Sequence, residues 1–386
     1  MSITAAAGFT AAGVVAGLKT TGALDLAVVC NRGPVHNAAA VFTTNRCKAN
    51  PVLWSEQVIA DGTVSAVVLN SGGANCYTGA SGFQVSHRTA ELVAERLGVS
   101  AGDVLVCSTG LIGVPLDVTA LSRGISEASA ELAGDAAAGE AAARAIMTTD
   151  TVPKQASVRS DQGWTIGGMA KGAGMLAPGL ATMLVLITTD AVLDSAELDH
   201  ALRAATRVSF DRLDSDGCMS TNDTVALLAS GASEVRPALE DFTAALTTVC
   251  LTLTAQLNTD AEGASHDVAI RVLNAATEEE AVVIARAVSR STLFKAAIFG
   301  NDPNWGRVLA AVGTTDAQFD PYRIDVAMNG VQLCRAGEPD QSRDLVDLAP
   351  RQVTVDIDVH AGAATATVWT NDLTHDYVHE NSVYSS

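Results

Sequence analysis

The sequence predicts a mixed α/β layered domain with a second lobe in its C-terminal half. Short apolar runs such as Ala66-Val-Val-Leu69 and Val104-Leu-Val-Cys107 alternate irregularly with longer stretches of helical period. The last third carries alternating segments at Arg323–Met328, Val353–Val359 and Ala364–Trp369, which read as antiparallel strands. With 386 residues, the chain can bury a large core in one big domain or two. A hydrophobic content of 48% against 17% charged excludes a disordered chain.

Taken in order, Ala27-Val-Val-Cys30 is the first short β-type run, followed by Ala66–Leu69 and Val104–Cys107. The second run opens into the loop Asn70-Ser-Gly-Gly-Ala-Asn-Cys-Tyr-Thr-Gly79, then a helix over Gln84–Leu97 that closes at Gly98. The third opens into Ser108-Thr-Gly-Leu-Ile-Gly113. Such loops offer backbone N–H groups to a ligand, or are plain turn chemistry. Residues 125–147 are Ala- and Glu-rich and predict helix, ending in the capped turn Met147-Thr-Thr-Asp-Thr-Val-Pro153.

The stretch Lys171–Asp190 begins as a loop with three glycines and Pro178, and ends as a buried strand from Met183 to Ile187. Thr182 stands at the threshold. It is an ordinary strand opener unless the preceding peptide bond is cut, in which case it carries a hydroxyl and a free amine that can activate it. Asp194-x-x-Glu197 reads as a capping box before a helix with Leu198, Leu202 and Ala205 on one face. The polar loop Asp214–Thr224 lacks the spacing and terminal Glu of a calcium loop. A helix carries Phe242, Leu246, Val249, Leu253 and Leu257, and Val268–Leu273 is a strand. Thr277-x-x-Glu280 reads as a second capping box, opening a helix through Val288. In the turn-dense Phe299–Arg307, Trp305 and Arg307 are an anchor and an anion clamp, or simply a packed loop.

A net charge of −19 argues against nucleic acid or an anionic membrane as a main partner, while leaving room for a locally basic site. The seven cysteines are scattered singly, without a CxxC, as in a reduced cytosolic protein. No Cys or His pair has metal-ligand spacing, so no metal is expected. Neither a signal peptide nor a membrane span is expected.

Several loops together carry a resemblance. They are Ser108–Gly113, Met147-Thr-Thr-Asp-Thr151, Lys171-Gly-Ala-Gly-Met175, Ala181-Thr-Met-Leu184, Ser220-Thr-Asn-Asp-Thr224, Asp260-Ala-Glu-Gly-Ala264, Gly300-Asn-Asp-Pro-Asn-Trp-Gly-Arg307 and the terminus Asn381–Ser386. Each is weak alone, but their succession is specific. The sequence resembles the ornithine acetyltransferases, also called glutamate N-acetyltransferases of the cyclic arginine pathway.

That resemblance implies a four-layer α/β/β/α sandwich similar in layers to N-terminal-nucleophile hydrolases, with different connectivity. It implies self-cleavage between Ala181 and Thr182, giving fragments 1–181 and 182–386 in an α2β2 assembly, with a smaller lobe at about 235–345. It makes Thr182 the nucleophile with its own amine as base, and Thr109 and Gly110 the oxyanion hole. Thr148, Lys171, Thr182, Glu262, Asn381 and Ser386 would bind substrate, Lys171 suiting a carboxylate and Glu262 an ammonium group. The implied reaction moves acetyl from N2-acetyl-L-ornithine to L-glutamate in the cytoplasm without a cofactor, and leaves acetyl-CoA open as a second donor. The alternatives are a self-processed amidase or aminopeptidase with water as acceptor, a monofunctional relative in specialised metabolism, and an uncut binding protein. The chain departs from the family pattern at Gly179-Leu180, often Asn-Met, at Ala261, commonly Gly, and at Ser265-His266, commonly Thr-Lys. These flank the functional positions; His266 at the pocket rim would bear on selectivity.

Overall fold

The structure, a computed structural model, describes residues 2–177 and 183–383. Along the chain run β1 (Phe9–Val14), β2 (Leu26–Asn31), β3 (Asn37–Phe42), α1 (Asn50–Val58), β4 (Ala66–Asn70), α2 (Gly79–Leu97), β5 (Val104–Ser108), α3 (Val118–Ala130) and α4 (Ala136–Ala145). Then come β6 (Lys154–Arg159), β7 (Thr165–Lys171), β8 (Leu184–Thr189), α5 (Ser195–Arg207), β9 (Thr224–Ala229) and α6 (Leu239–Thr259). One sheet has the order β1-β2-β4-β5 and a second β3-β9-β8-β7-β6. Within them, β4–β5 and β8–β9 are parallel and the other neighbours antiparallel.

The central strands β2, β4, β5, β8 and β9 are buried and largely apolar because both faces of each sheet are covered there. Successive residues point to opposite faces, and each strand divides accordingly. Val29, Leu69 and Leu105 of the first sheet pack against Leu184, Leu186 and Leu228 of the second. Their neighbours Val28, Val68 and Val106 face outward onto Val93 of α2 and Leu121 and Ile125 of α3. On the far side, Val185, Ile187 and Leu227 pack under Leu202 of α5 and Phe242 and Leu253 of α6. The result is the α/β/β/α order that the resemblance implied.

Local signals set most boundaries. Gly98 closes α2 at φ 71, and Asp194 and Glu197 form the reciprocal capping box of α5. Elsewhere the structure differs from expectation. α2 begins at Gly79, ahead of Gln84. The expected helix over 125–147 is broken: Ala133 pairs in both directions with Ala11 (2.9 and 3.1 Å), and Asp135 then caps α4 by accepting the Ala138 N–H. Thr277 accepts the Glu280 N–H, but the return half of that box is missing and Glu280 Oε2 is buried without a partner.

A third sheet follows, built from β10 (Asp267–Ala275), α7 (Glu278–Ser289), α8 (Thr292–Phe299), α9 (Trp305–Val312), β11 (Asp325–Met328), β12 (Val331–Arg335), β13 (Glu338–Pro339), β14 (Gln352–Asp358) and β15 (Ala364–Asn371). Its order is β13-β12-β11-β14-β10-β15. β14 is parallel to β10, which separates it from β15, so the last alternating segments are not hairpin partners. This unit begins at Asp267 rather than about 235, because α6 belongs to the second sheet's core, and it runs past 345 to Asn371. Trp305 packs half-buried against its core and Arg307 Nη1 donates to the Leu293 carbonyl at 2.5 Å, so the turn-dense segment is a packed connection between helices. Finally α10 (His375–Val383) returns to the sandwich, where Thr374 Oγ1 donates to the Gly263 carbonyl at 2.6 Å. Among the described residues no helix is long and apolar enough to cross a membrane.

Leu186 is buried between the two sheets and Val283 is 48% exposed on α7. Leu186→Ala is expected to cost about 2–5 kcal/mol in urea unfolding, through the cavity it leaves. Val283→Ala should stay within about 0.5 kcal/mol.

Candidate active site

The site forms where strand ends of both sheets meet. The second sheet's register aligns Lys171 with Leu184 and Leu184 with Thr224, so Lys171, Met183 and Asp223 lie side by side at one end. From the first sheet, β5 ends at Ser108 and delivers Thr109 and Gly110 to the same place. A cavity of about 330 Å³ opens there, lined by Thr109, Gly110, Thr148, Lys171, Glu262 and Asn381, together with Asn222.

Thr109 is buried, its N–H fixed on the Asn70 carbonyl at 3.0 Å, and its Oγ1 accepts from Lys171 Nζ at 3.4 Å. Gly110 has φ 125, and a Cβ there would stand 2.9 Å from the Gly73 backbone, so a side chain is excluded twice over. Among the described residues its N–H is donated to no acceptor. A buried hydroxyl beside an uncommitted N–H at a cavity wall is a pair suited to a developing oxyanion.

Lys171 is the last residue of β7 and fully buried, not a solvated loop lysine. Burial pushes its amine below the ordinary value, with Lys154 adding to this, while Asp150 and Glu262 oppose it. Asp150 is the nearby carboxylate that most favours its charge. It accepts Lys154 Nζ at 2.6 Å, the Gly172 N–H at 2.7 Å and the Thr148 N–H at 3.0 Å. Burial alone would raise the Asp150 carboxyl, but Lys171, Lys154 and the Gly172 N–H outweigh it and hold it at about 2. Lys154, itself buried, also donates to Asp260 at 2.6 Å.

Glu262 follows α6. Its N–H donates to the Ala173 carbonyl at 3.0 Å, and its carboxylate lies over Gly174, where a Cβ would approach to 2.6 Å. Asn381 of α10 donates to Glu262 Oε2 at 2.9 Å. The cavity therefore has a buried cation at one wall and a carboxylate at another, matching a ligand with a carboxylate and an amine. Ala181, Thr182 and Ser386, and the departures at Gly179 and Leu180, lie outside the described residues. His266 does not line the cavity; it is buried, with Nδ1 2.8 Å from Asp372 Oδ2 and Nε2 2.9 Å from the Leu348 carbonyl.

The model of the ArgJ family matches residues 10–386. The chain belongs to the ArgJ family. It is 62% identical over 386 residues to the arginine biosynthesis bifunctional protein ArgJ of Streptomyces coelicolor, covering all of both chains. The protein of the same name from Thermobifida fusca is 60% identical, again over the full length of both. Among solved structures, the arginine biosynthesis bifunctional protein ArgJ of Bacillus halodurans is 34% identical; the match covers 52% of this chain and 98% of that one, with a TM-score of 0.50.

Sequence reasoning missed Lys154 altogether, and it left Asp150, Asn222 and Asp223 without roles although they stand in the motif segments Met147–Thr151 and Ser220–Thr224. Asp150 read as a turn cap, and Lys154 follows a proline with nothing nearby to mark it as buried. The only available signal was a lone lysine opening a strand with no acidic partner on that strand.

Asp150 makes acid stability measurable. Its folded value lies below the unfolded value of about 3.9, so its contribution is complete above pH ~4 and disappears as the pH falls through about 2. Asp150→Asn should lose about 3–5 kcal/mol at neutral pH, because two buried lysines lose their shared counter-charge. In circular-dichroism acid titrations, the wild type should lose about 2 kcal/mol more than the variant between those limits.

Proposed function

We propose that the protein transfers the acetyl group of N2-acetyl-L-ornithine to L-glutamate in arginine biosynthesis, through an acetyl ester on Thr182. Family membership and relatives named as bifunctional arginine-biosynthesis proteins support this. The observation that carries it is the gathering of Thr109, Gly110, Lys171, Glu262 and Asn381, far apart in sequence, around one cavity at the mouth of β8.

In the first stage Thr182 Oγ attacks the Ala181 carbonyl carbon. The C–N bond breaks, its nitrogen takes the proton and becomes the Thr182 amine, and water hydrolyses the resulting ester. The solved Bacillus halodurans chain spans about half of this one, as a single product of such a cut would. In the second stage the amine takes the Oγ proton while Oγ attacks the acetyl carbonyl. Thr109 Oγ1 and the Gly110 N–H receive the oxyanion. The amide C–N bond breaks, ornithine leaves with the proton on its nitrogen, and the glutamate amine reverses the sequence. One amide replaces another, so the transfer balances without ATP, and no cofactor is needed.

Lys171 binds the α-carboxylate and Glu262 the ammonium group, with Thr148, Asn381 and Ser386 completing the pocket. Acetyl-CoA serves as a second acetyl donor, in keeping with the relatives' name. The fragments 1–181 and 182–386 associate as α2β2 in the cytoplasm.

On a denaturing gel the purified protein is expected to run as two fragments parted before Thr182, and Thr182→Ala as one uncut chain. After incubation with N-acetylornithine, mass spectrometry should find one acetyl group on the fragment beginning at Thr182, removed by glutamate. A wild-type chain that stays whole overturns the nucleophile; an acetyl group lost to water at a rate indifferent to glutamate makes the protein a hydrolase. Gly110→Ala should lower kcat by about 10²–10³-fold.

A further inference from the structure

Two consecutive residues outside the roles above touch both halves of this chemistry. Asn222 Nδ2 donates to the Ser108 carbonyl at 2.8 Å and to the Ala74 carbonyl at 2.7 Å. The Ser108 carbonyl belongs to the peptide bond that leads into Thr109. Asp223 Oδ1 accepts the Met183 N–H at 3.0 Å. That N–H belongs to the peptide bond that leaves Thr182. The pair thus holds the peptide entering the oxyanion hole and the peptide leaving the nucleophile, across a Cα–Cα step of about 3.8 Å.

The segment is itself held fast. Thr43 donates its N–H to the Asp223 carbonyl at 3.0 Å and its Oγ1 to the Ser220 carbonyl at 2.7 Å. Thr221 Oγ1 donates to Asn222 Oδ1 at 2.6 Å, which fixes the amide so that its NH₂ faces the two carbonyls. The Thr224 N–H returns to the Met183 carbonyl at 3.2 Å, so Met183 is bound on both sides. Asp223 is fully buried, and among the described residues its Oδ2 has no hydrogen-bond partner.

We propose that Asn222 and Asp223 are positioning residues: a clamp that sets the spacing between the oxyanion donors on one sheet and the nucleophile on the other. This rests on Thr182 being the nucleophile. Burial drives the Asp223 carboxyl well above the usual carboxylate range, against the Met183 N–H, Ser220 and Lys171, so it meets the Met183 N–H as a neutral acceptor.

The test compares self-cleavage rates and steady-state kinetics of full-length wild type, Asn222→Ala, Asp223→Ala and Asp223→Asn. A misplacement on the order of 1 Å costs about 10²-fold, so both alanine variants should lose about that much in cleavage rate and in kcat, with KM within about threefold. Asparagine keeps a neutral acceptor, so Asp223→Asn should recover most of what alanine loses, with the acid limb of its pH profile unmoved. The clamp is overturned if the alanine variants cleave and turn over as wild type does, or if Asp223→Asn is as impaired as Asp223→Ala. Should Asp223→Ala not fold, the asparagine variant decides: a loss of activity, or an acid limb displaced by a unit or more, overturns the neutral acceptor. If wild type is neither cut nor acetylated, the nucleophile reading falls and the clamp with it. If wild type is cut and acetylated but the variants match it, only the clamp falls.

Discussion

Asp150 is the counter-charge on which the interior of this site depends. Two lysines, Lys154 and Lys171, are buried within its reach, and a buried ammonium group is costly unless an anion and hydrogen bonds accompany it. Asp150 meets that need while accepting the N–H groups of Thr148 and Gly172. Its two oxygens therefore tie the loop before β6 to the loop after β7. Lys154 extends the tie to Asp260, two residues from Glu262, so the carboxylate wall of the cavity is referenced to the same buried charge as its cationic wall. A single network fixes both poles that a zwitterionic ligand would meet.

The network also sets the state of Lys171. Desolvation weakens its proton affinity, and the carboxylates of Asp150 and Glu262 oppose that loss. Placing the amine at a strand end, rather than on a loop, removes the entropy that a long side chain would otherwise surrender on binding. The Thr109 hydroxyl at 3.4 Å then shares a wall with the cation, which adds positive potential where an oxyanion would form.

Much of this fold was legible in the chain, and the reasons it was are physical. Val28–Val29 and Val185–Leu186 read as strands because runs apolar on both faces have no other use in a layered domain. Asp194–Glu197 and Gly98 announced helix ends through their own hydrogen-bonding geometry. What could not be read were relations between distant segments: that Ala11 would interrupt the helix at Ala133, or that β10 would lie between β14 and β15. The site divides the same way. Thr109, Gly110, Thr148, Lys171, Glu262 and Asn381 were named only through motifs, and they line one cavity. Asp150 and Asp223 stand in motif segments, but their roles could not be read there because they lie in contacts with Lys154, Gly172 and Met183.

The order of the second sheet bears on self-cleavage itself. A cut between Ala181 and Thr182 divides the chain between β7 and β8, which are antiparallel neighbours. The fragment 182–386 contributes β9 and β8 to the middle of the sheet, and the fragment 1–181 contributes β3 on one side and β7 and β6 on the other. Separating the products would mean opening the β3–β9 and β7–β8 ladders and exposing Leu184, Leu186, Ala226 and Leu228 from between the sheets. The same interleaving keeps Lys171 of one fragment level with Leu184 of the other. Under the proposed function, cleavage would therefore free the Thr182 amine while the hydrogen bonds across the sheet kept Lys171 and Leu184 in register.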